Sequence, residues 1–104
     1  MSTPTTIISI PYDADGIPDR AVLENANQTL SAQVDKQNGD VYLNFSSRLA
    51  MRDFAKSLLH ESIYGDGVGM EFYPLSQNGE MLVVNGARLT IDSSRIFVRF
   101  NPQD

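Results

Sequence analysis

The sequence predicts an α+β protein with a largely antiparallel sheet of about five to seven strands and one long amphipathic helix packed on one face. Three observations predict it: one long stretch with helical spacing of apolar residues, several short β-branched runs, and Asn-Gly pairs between those runs. With 104 residues and 41% hydrophobic content, the chain is expected to form a single domain, 1–104, with loose termini at 1–4 and 101–104.

The helix is predicted within residues 46–64, where apolar side chains recur at steps of three and four. Ser46 or Ser47 can cap its first turn, and Gly65 can end it in the left-handed conformation. The residues expected on its inner face are Met51, Phe54, Ala55, Leu58 and Leu59.

Three strands are predicted before the helix. The first covers residues 5–12, which are β-branched and apolar. Residues 18–30 fit both a helical and an alternating period, and we favour a short strand or turn near 21–25 followed by a strand at 29–35. The pair Asn38-Gly39 then predicts a hairpin with the alternating residues 41–45.

After the helix, the glycines at 65, 67 and 69 predict a turning loop that could act as a hinge. Asn78-Gly79 and Asn85-Gly86 separate short apolar runs, so a meander of up to four strands is expected. The predicted order is therefore three strands, the helix and four further strands.

Composition limits the classes of function. Thirteen acidic residues against eight basic ones give a net charge of -5, which disfavours nucleic-acid binding. The chain has no cysteine, no apolar run near the ~20 residues of a membrane helix and no basic leader. These observations favour a cytoplasmic protein that binds neither nucleic acid nor membrane.

Basic residues form a ridge along the predicted helix, because four of them follow one another at intervals of four residues. They are Arg48, Arg52, Lys56 and His60. This basic ridge could grip a carboxylate or phosphate of a partner. The alternative is a solvated face whose charges are balanced by Asp53, Glu61 and neighbouring acids.

A second candidate contact surface lies on the last predicted strand, where Arg95, Phe97 and Arg99 share one face. An edge-strand contact, a dimer seam or a salt-bridged outer face would each explain this pattern. The alternate residues Ile96, Val98 and Phe100 are expected in the core.

No catalytic, cofactor-binding or metal-binding residue is predicted. The acids at 13, 15, 19 and 24 have the spacing of a calcium loop, but Ile17 and Pro18 occupy its central ligand and glycine positions. His60 is the single histidine and lacks the second histidine of a zinc-protease helix. An enzyme or small-ligand binder would have to use His60, Glu61 and the Gly65–Gly69 loop.

The segments DFAKSLL, YPL and VNGARLTIDSSRIFVRF resemble small bacterial immunity proteins associated with polymorphic toxins. The likeness covers residues 47–100. It is carried by Phe54, Ala55, Leu58, Leu59, Leu89, Asp92, Ser93 and Val98. The resemblance implies a cytoplasmic protein that binds and blocks a toxin without catalysis, often through an acidic surface.

The leading hypothesis is therefore a small non-enzymatic protein-binding module, of immunity type, that meets its partner through an acidic surface. The alternatives are the small-ligand binder or enzyme described above, and a module that self-associates into a homodimer through edge strands or the outer face of the last strand.

Overall fold

The predicted helix is present as α2, Arg48–Tyr64, and its length of 17 residues agrees with the prediction. The computed structural model describes residues 3–103, so residues 1, 2 and 104 of the predicted loose termini lie outside the described part. Ser47 is the N-cap and accepts a hydrogen bond from the amide of Ala50 at 3.0 Å. Gly65 ends α2 in an extended conformation with φ of -83°, so the predicted left-handed ending is wrong.

The buried face of α2 differs from the predicted one. Phe54 is buried and Leu58 packs at the core's edge, as expected, but Met51, Ala55 and Leu59 are exposed. The buried positions are Ala50, Asp53, Phe54 and Ser57. Small and polar side chains therefore occupy much of the contact face, where other parts of the chain approach α2 closely.

The predicted hairpin is confirmed. Strands β1, Leu30–Val34, and β2, Val41–Phe45, pair antiparallel, with Leu30 opposite Phe45 and Val34 opposite Val41. Gly39 supplies the positive φ of 79° that the connection needs. The hairpin therefore has the order and the register that its alternating apolar residues predict.

Before the hairpin the chain departs from the prediction. Residues 5–12 form no regular strand, since this segment pairs with no sheet among the described residues and instead runs beside α2. Residues 20–24 form a short helix, α1 (Arg20–Glu24), where a strand or turn was favoured. Asp19 caps α1 by accepting from the amide of Ala21, which explains why the helical alternative prevails here.

The single large sheet that was predicted is not formed. Four short strands follow α2: β3 (Met70–Phe72), β4 (Ser76–Gln77), β5 (Glu80–Met81) and β6 (Ile96–Val98). The described strands form three separate two-stranded antiparallel sheets, β1-β2, β3-β6 and β4-β5.

The predicted four-stranded meander is also wrong, because β3 pairs with the last strand and not with its neighbour in sequence. Asn78-Gly79 and Asn85-Gly86 do form the expected tight turns, with positive φ at all four residues. Because few residues separate these turns, the strands between them are too short to extend a sheet.

The hydrophobic core lies where α2, the hairpin, β3 and the segment 87–89 meet. Phe54 of α2 packs against Phe72 and Phe45, with ring centroids 4.8 and 5.5 Å apart. The buried core cluster consists of Leu30, Phe54, Phe72, Ala87 and Leu89. Half-buried side chains around it include Phe45, Leu58, Met70, Ile96 and Val98. The prediction that Ile96 and Val98 face the core is confirmed, whereas Phe100, predicted with them, is 37% exposed and the prediction for it is wrong.

Arg88 is buried beside this core, with 6% of its surface exposed, and it bonds to the main chain. Its Nη1 donates to the carbonyl oxygens of Val22, Asn25 and Gln28 at 3.0, 2.9 and 3.1 Å. Its Nε donates to the carbonyl oxygen of Met81 at 3.0 Å. One side chain therefore joins α1, the connection to β1, and β5.

Replacing Arg88 should destabilise the whole fold. Arg88→Met leaves buried carbonyl groups without donors, so we expect the free energy of unfolding in urea to fall by about 3 kcal/mol or more. Arg88→Lys should lose less, since an ammonium group can satisfy part of the set. The matched control, Arg20→Met, removes an exposed arginine and should change stability by less than about 0.5 kcal/mol. Equal losses for the variants at 88 and 20 would contradict this role.

Candidate functional site

The basic ridge of α2 is divided between solvent and the N-terminal segment. Arg48 and Arg52 are exposed. Lys56 Nζ donates to the carbonyl oxygen of Gly16 at 3.4 Å, and His60 Nε2 lies 2.9 Å from the carbonyl oxygen of Tyr12. Within residues 3–103 no ion pair joins the ridge to a carboxylate. Main-chain carbonyls therefore contact its C-terminal half, and Asp53 interacts with the charges of Lys56 and Arg52 without forming an ion pair.

The second candidate surface, with Arg95, Phe97 and Arg99, is an exposed face of β6 and the residues around it. Arg95 forms an ion pair with Glu71 of β3 at 3.0 Å, which fits the salt-bridged alternative. The guanidinium of Arg99 lies 5.8 Å from the ring centre of Phe97. Each arginine therefore contacts a side chain of the β3-β6 sheet, and of the two only Arg95 forms an ion pair among the described residues.

A cleft of about 440 Å³ lies on the side of α2 that carries His60. This volume is within the range of small-molecule sites. Its walls come from the segment before α1, from α1, from α2 and from the turn at 83–86. They are lined by Ala14, Ile17, Pro18, Leu23, Ser57, His60, Glu61, Met70, Val83, Asn85 and Gly86.

His60 and Glu61, the two residues considered for ligand chemistry, therefore line one cleft. The glycine loop considered with them does not, because Gly65, Gly67 and Gly69 are absent from its lining. Gly67 is buried against the main chain of Phe100, where a Cβ would come within 2.6 Å of that carbonyl oxygen. The loop thus packs on the C-terminal segment and does not form a wall of the cleft.

His60 is held by its contact with Tyr12. A carbonyl oxygen only accepts, so this hydrogen bond requires the proton on Nε2. In the neutral imidazole, Nδ1 is then the acceptor. Tyr64, one turn further along, donates to the carbonyl oxygen of Ile10 at 3.0 Å and packs edge-on against Tyr12 at 5.3 Å. The N-terminal segment is thereby fixed along α2.

Two lining residues that the sequence did not single out are Ser57 and Asn85. Ser57 is 4% exposed, and its hydroxyl has no hydrogen-bond partner within residues 3–103. Gly86 packs directly against that hydroxyl, at a φ of 89°. Asn85 Nδ2 donates to the carbonyl oxygen of Glu71 at 2.8 Å, which leaves Oδ1 as an acceptor.

Asp53, one turn before Ser57, is a buried acid with 1% of its surface exposed. Its Oδ2 accepts from the amide of Asp19 at 2.7 Å, while Oδ1 has no partner among the described residues. Burial raises the pKa of Asp53 above its usual 3.8, and the Asp19 amide together with the charge of Lys56 only partly opposes that effect. Asp53 therefore anchors the start of α1 to α2.

The acids of the calcium-like spacing have local roles. Asp13 accepts from the amide of Asp15 at 3.1 Å, Asp19 caps α1, and Glu24 pairs with Arg20 at 3.7 Å. In the part of the chain that the structure describes, no three of the His, Asp and Glu residues lie close enough together to hold a metal ion.

Comparison with protein-family models, with curated proteins and with solved structures gives no significant match for this chain. Within residues 3–103, no helix is both long and apolar enough to cross a membrane.

Replacing Asp53 should change how stability depends on pH. Because the folded pKa is raised, protonation favours the folded state, and the contribution of Asp53 to stability falls as the pH rises from 3.8 through the folded pKa. Asp53→Asn keeps an acceptor for the Asp19 amide but does not titrate. The quantity to compare is the free energy of unfolding of the wild-type protein minus that of the Asp53→Asn variant, each measured by urea titration. We expect this difference to decrease as the pH rises over this window.

The matched control is Glu80→Gln, at an exposed position of β5. The corresponding difference for this variant should stay nearly constant over the same window. A difference for Asp53→Asn that is flat or increases with pH would contradict the effect of burial on the Asp53 carboxylate.

Proposed function

We propose that the protein is a small non-enzymatic protein-binding module that accepts an extended strand of a partner protein at the open edge of β2. In the immunity-type form of this proposal the partner is a toxin that the module blocks by binding. The single observation that carries the proposal is that β2 is an uncharged edge strand, exposed along most of its length and unpaired on its outer side among the described residues.

The hydrogen-bond pattern identifies the groups that are free to bind. Ser46 N donates to Thr29 O at 2.9 Å, and Asp35 N donates to Asp40 O at 2.8 Å. In an antiparallel ladder, such inward-pointing pairs alternate with residues whose N–H and C=O point outward. The outward positions are the odd-numbered residues of β2, Val41, Leu43 and Phe45.

The opposite edge of the hairpin is already occupied. Leu30 N donates to Arg88 O at 2.8 Å, and Thr90 N donates to Leu30 O at 2.9 Å. Ser94 N donates to Ala32 O at 2.7 Å. The segment 88–94 thus covers β1, and β2 is the side of the hairpin on which a further strand can be added.

Apolar side chains accompany this open edge. Val41, Tyr42 and Leu43 are 65%, 49% and 40% exposed, although β2 contains no charged residue that would discourage strand pairing. Val34, opposite Val41, is exposed as well. The apolar face of the hairpin therefore continues from the core at Leu30 to exposed residues near the turn, as at a protein interface.

Charge favours a partner other than a second copy of the chain. Each copy carries a net charge of -5, so two copies repel one another, whereas a basic protein is attracted. Asp35 and Asp40 flank the turn end of the hairpin and place negative charge beside the open edge. The partner strand is therefore expected to come from a basic protein.

The test uses two substitutions at one position. Leu43→Pro removes an outward N–H without breaking the β1-β2 ladder, whereas Leu43→Thr keeps the N–H and reduces apolar contact. A protein captured from the native host by the wild-type chain is purified, and its affinity is measured by calorimetry. We expect Leu43→Pro to weaken binding at least tenfold and Leu43→Thr to weaken it less. Val68→Thr, at an exposed position outside the hairpin, should leave it unchanged.

Hydrogen exchange gives an independent readout of the same contact. The amides of Val41, Leu43 and Phe45 should exchange quickly in the free protein and become protected in the complex, because they donate to the added strand. Equal affinity of all three variants, or a complex without this protection, would contradict the proposal. A wild-type homodimer that Leu43→Pro dissociates would favour self-association instead.

A further inference from the structure

The cleft beside α2 has one apolar side and one side that carries hydrogen-bonding groups. Ile17, Pro18 and Leu23 line it from α1 and the segment before α1. Met70 and Val83 add apolar surface from the C-terminal half of the chain. The polar lining residues are Ser57, His60, Glu61 and Asn85. This combination is typical of a site that binds a small molecule by its hydrocarbon part and orients it by a few polar contacts.

The polar groups that remain available in the cleft are mainly acceptors. Asn85 uses an N–H for Glu71, which leaves its amide oxygen. His60 uses Nε2–H for Tyr12, which leaves Nδ1 as an acceptor in the neutral ring. The carboxylate of Glu61 lies over Gly65 at the end of α2, and no hydrogen bond or ion pair from within residues 3–103 reaches it.

Ser57 adds a second, independent indication of a ligand. Its hydroxyl is buried and lacks a partner within the described part of the chain, which is a costly state for a polar group. Gly86 covers the hydroxyl, so a ligand group that donates a hydrogen bond, or a water that such a group holds, would satisfy it after a small shift of the turn at 85–86.

The charge of the lining follows from its composition. Among the described residues, Glu61 is the single acid that lines the cleft, and neither lysine nor arginine lines it. Of the basic ridge, His60 lines the cleft, whereas Lys56 is directed to Gly16 O and lines a different depression with Arg52. A ligand anion would therefore meet a carboxylate and several acceptors, whereas an ammonium group would find partners for its three N–H donors.

We propose that this cleft binds a small primary ammonium compound with an apolar body. The ammonium group lies at Glu61 and Asn85, beside the turn that covers Ser57, and the hydrocarbon part lies against Ile17, Pro18 and Leu23. The site is separate from the open edge of β2, so it goes beyond the protein-binding function. Both can hold in one molecule, because the cleft and the hairpin edge share no residue.

The test titrates isotope-labelled protein with 2-phenylethylamine at pH 7 and follows amide shifts by NMR. We expect saturable binding in the millimolar range, as befits a ligand of this size, with the shifts concentrated at residues 57–61 and 83–86. The neutral isostere 2-phenylethanol and the anion 3-phenylpropionate should each bind at least tenfold more weakly. Equal binding of the alcohol, or shifts scattered away from the cleft, would overturn the proposal.

Variants separate the carboxylate from general charge effects. Glu61→Gln should weaken amine binding at least tenfold, whereas Glu80→Gln, with the same loss of charge on exposed β5, should leave it unchanged. Ser57→Ala should weaken it by a smaller factor, and it provides a second test if Glu61→Gln unfolds. Unchanged binding in either cleft variant would contradict the assignment. Leu43→Pro should bind the amine normally, which distinguishes this site from the β2 edge.

Discussion

The fold depends on one buried cation whose partners are all main-chain oxygens. Among residues 3–103 no carboxylate lies within hydrogen-bonding distance of Arg88, which instead donates to four carbonyl groups from three parts of the chain. A buried arginine is expensive to desolvate, so it is tolerated where main-chain acceptors lie around its buried donors. The acceptors at Val22, Asn25 and Gln28 lie in and just after α1, which is too short to be stable alone. Arg88 therefore holds α1 in place from outside.

Both candidate surfaces follow from that arrangement. α1 and the segment before it form the apolar wall of the cleft. Asp53 ties this part of the chain to α2 by accepting from the amide of Asp19, the N-cap of α1. The residues next to Arg88 occupy the inner edge of the hairpin, which leaves β2 as the outer edge. The small core cannot cover the whole hairpin, so the apolar residues near its turn stay exposed. The cleft and the open edge of β2 thus both result from the way in which the chain packs around Arg88.

The sequence predicted the features that depend on local chemistry. Ser47 and the periodic apolar residues define α2, and the hairpin follows from alternation around Asn38-Gly39. It could not predict the contacts made across the chain. The helical period was identified from the large apolar residues, so Met51 was predicted on the inner face and Asp53 and Ser57 were not. Asp53 and Ser57 are buried because the main chain at Gly86 lies close to this part of α2. Arg88, in an alternating run, has the pattern of an outward-facing strand residue. His60 and Glu61 are the two lining residues of the cleft that the sequence indicated as candidates for ligand binding. The other lining residues come together only through tertiary packing.

Native-state hydrogen exchange tests the central role of Arg88 most directly, because it resolves whether α1 is part of the cooperative core. The Val22 amide bonds to Asp19 O within α1, and the Leu30 and Thr90 amides join β1 to the segment that carries Arg88. If Arg88 unites these parts, all three amides should exchange with a free energy close to that of global unfolding. Exchange of Val22 through a local opening of much lower free energy, with Leu30 and Thr90 still fully protected, would contradict the account.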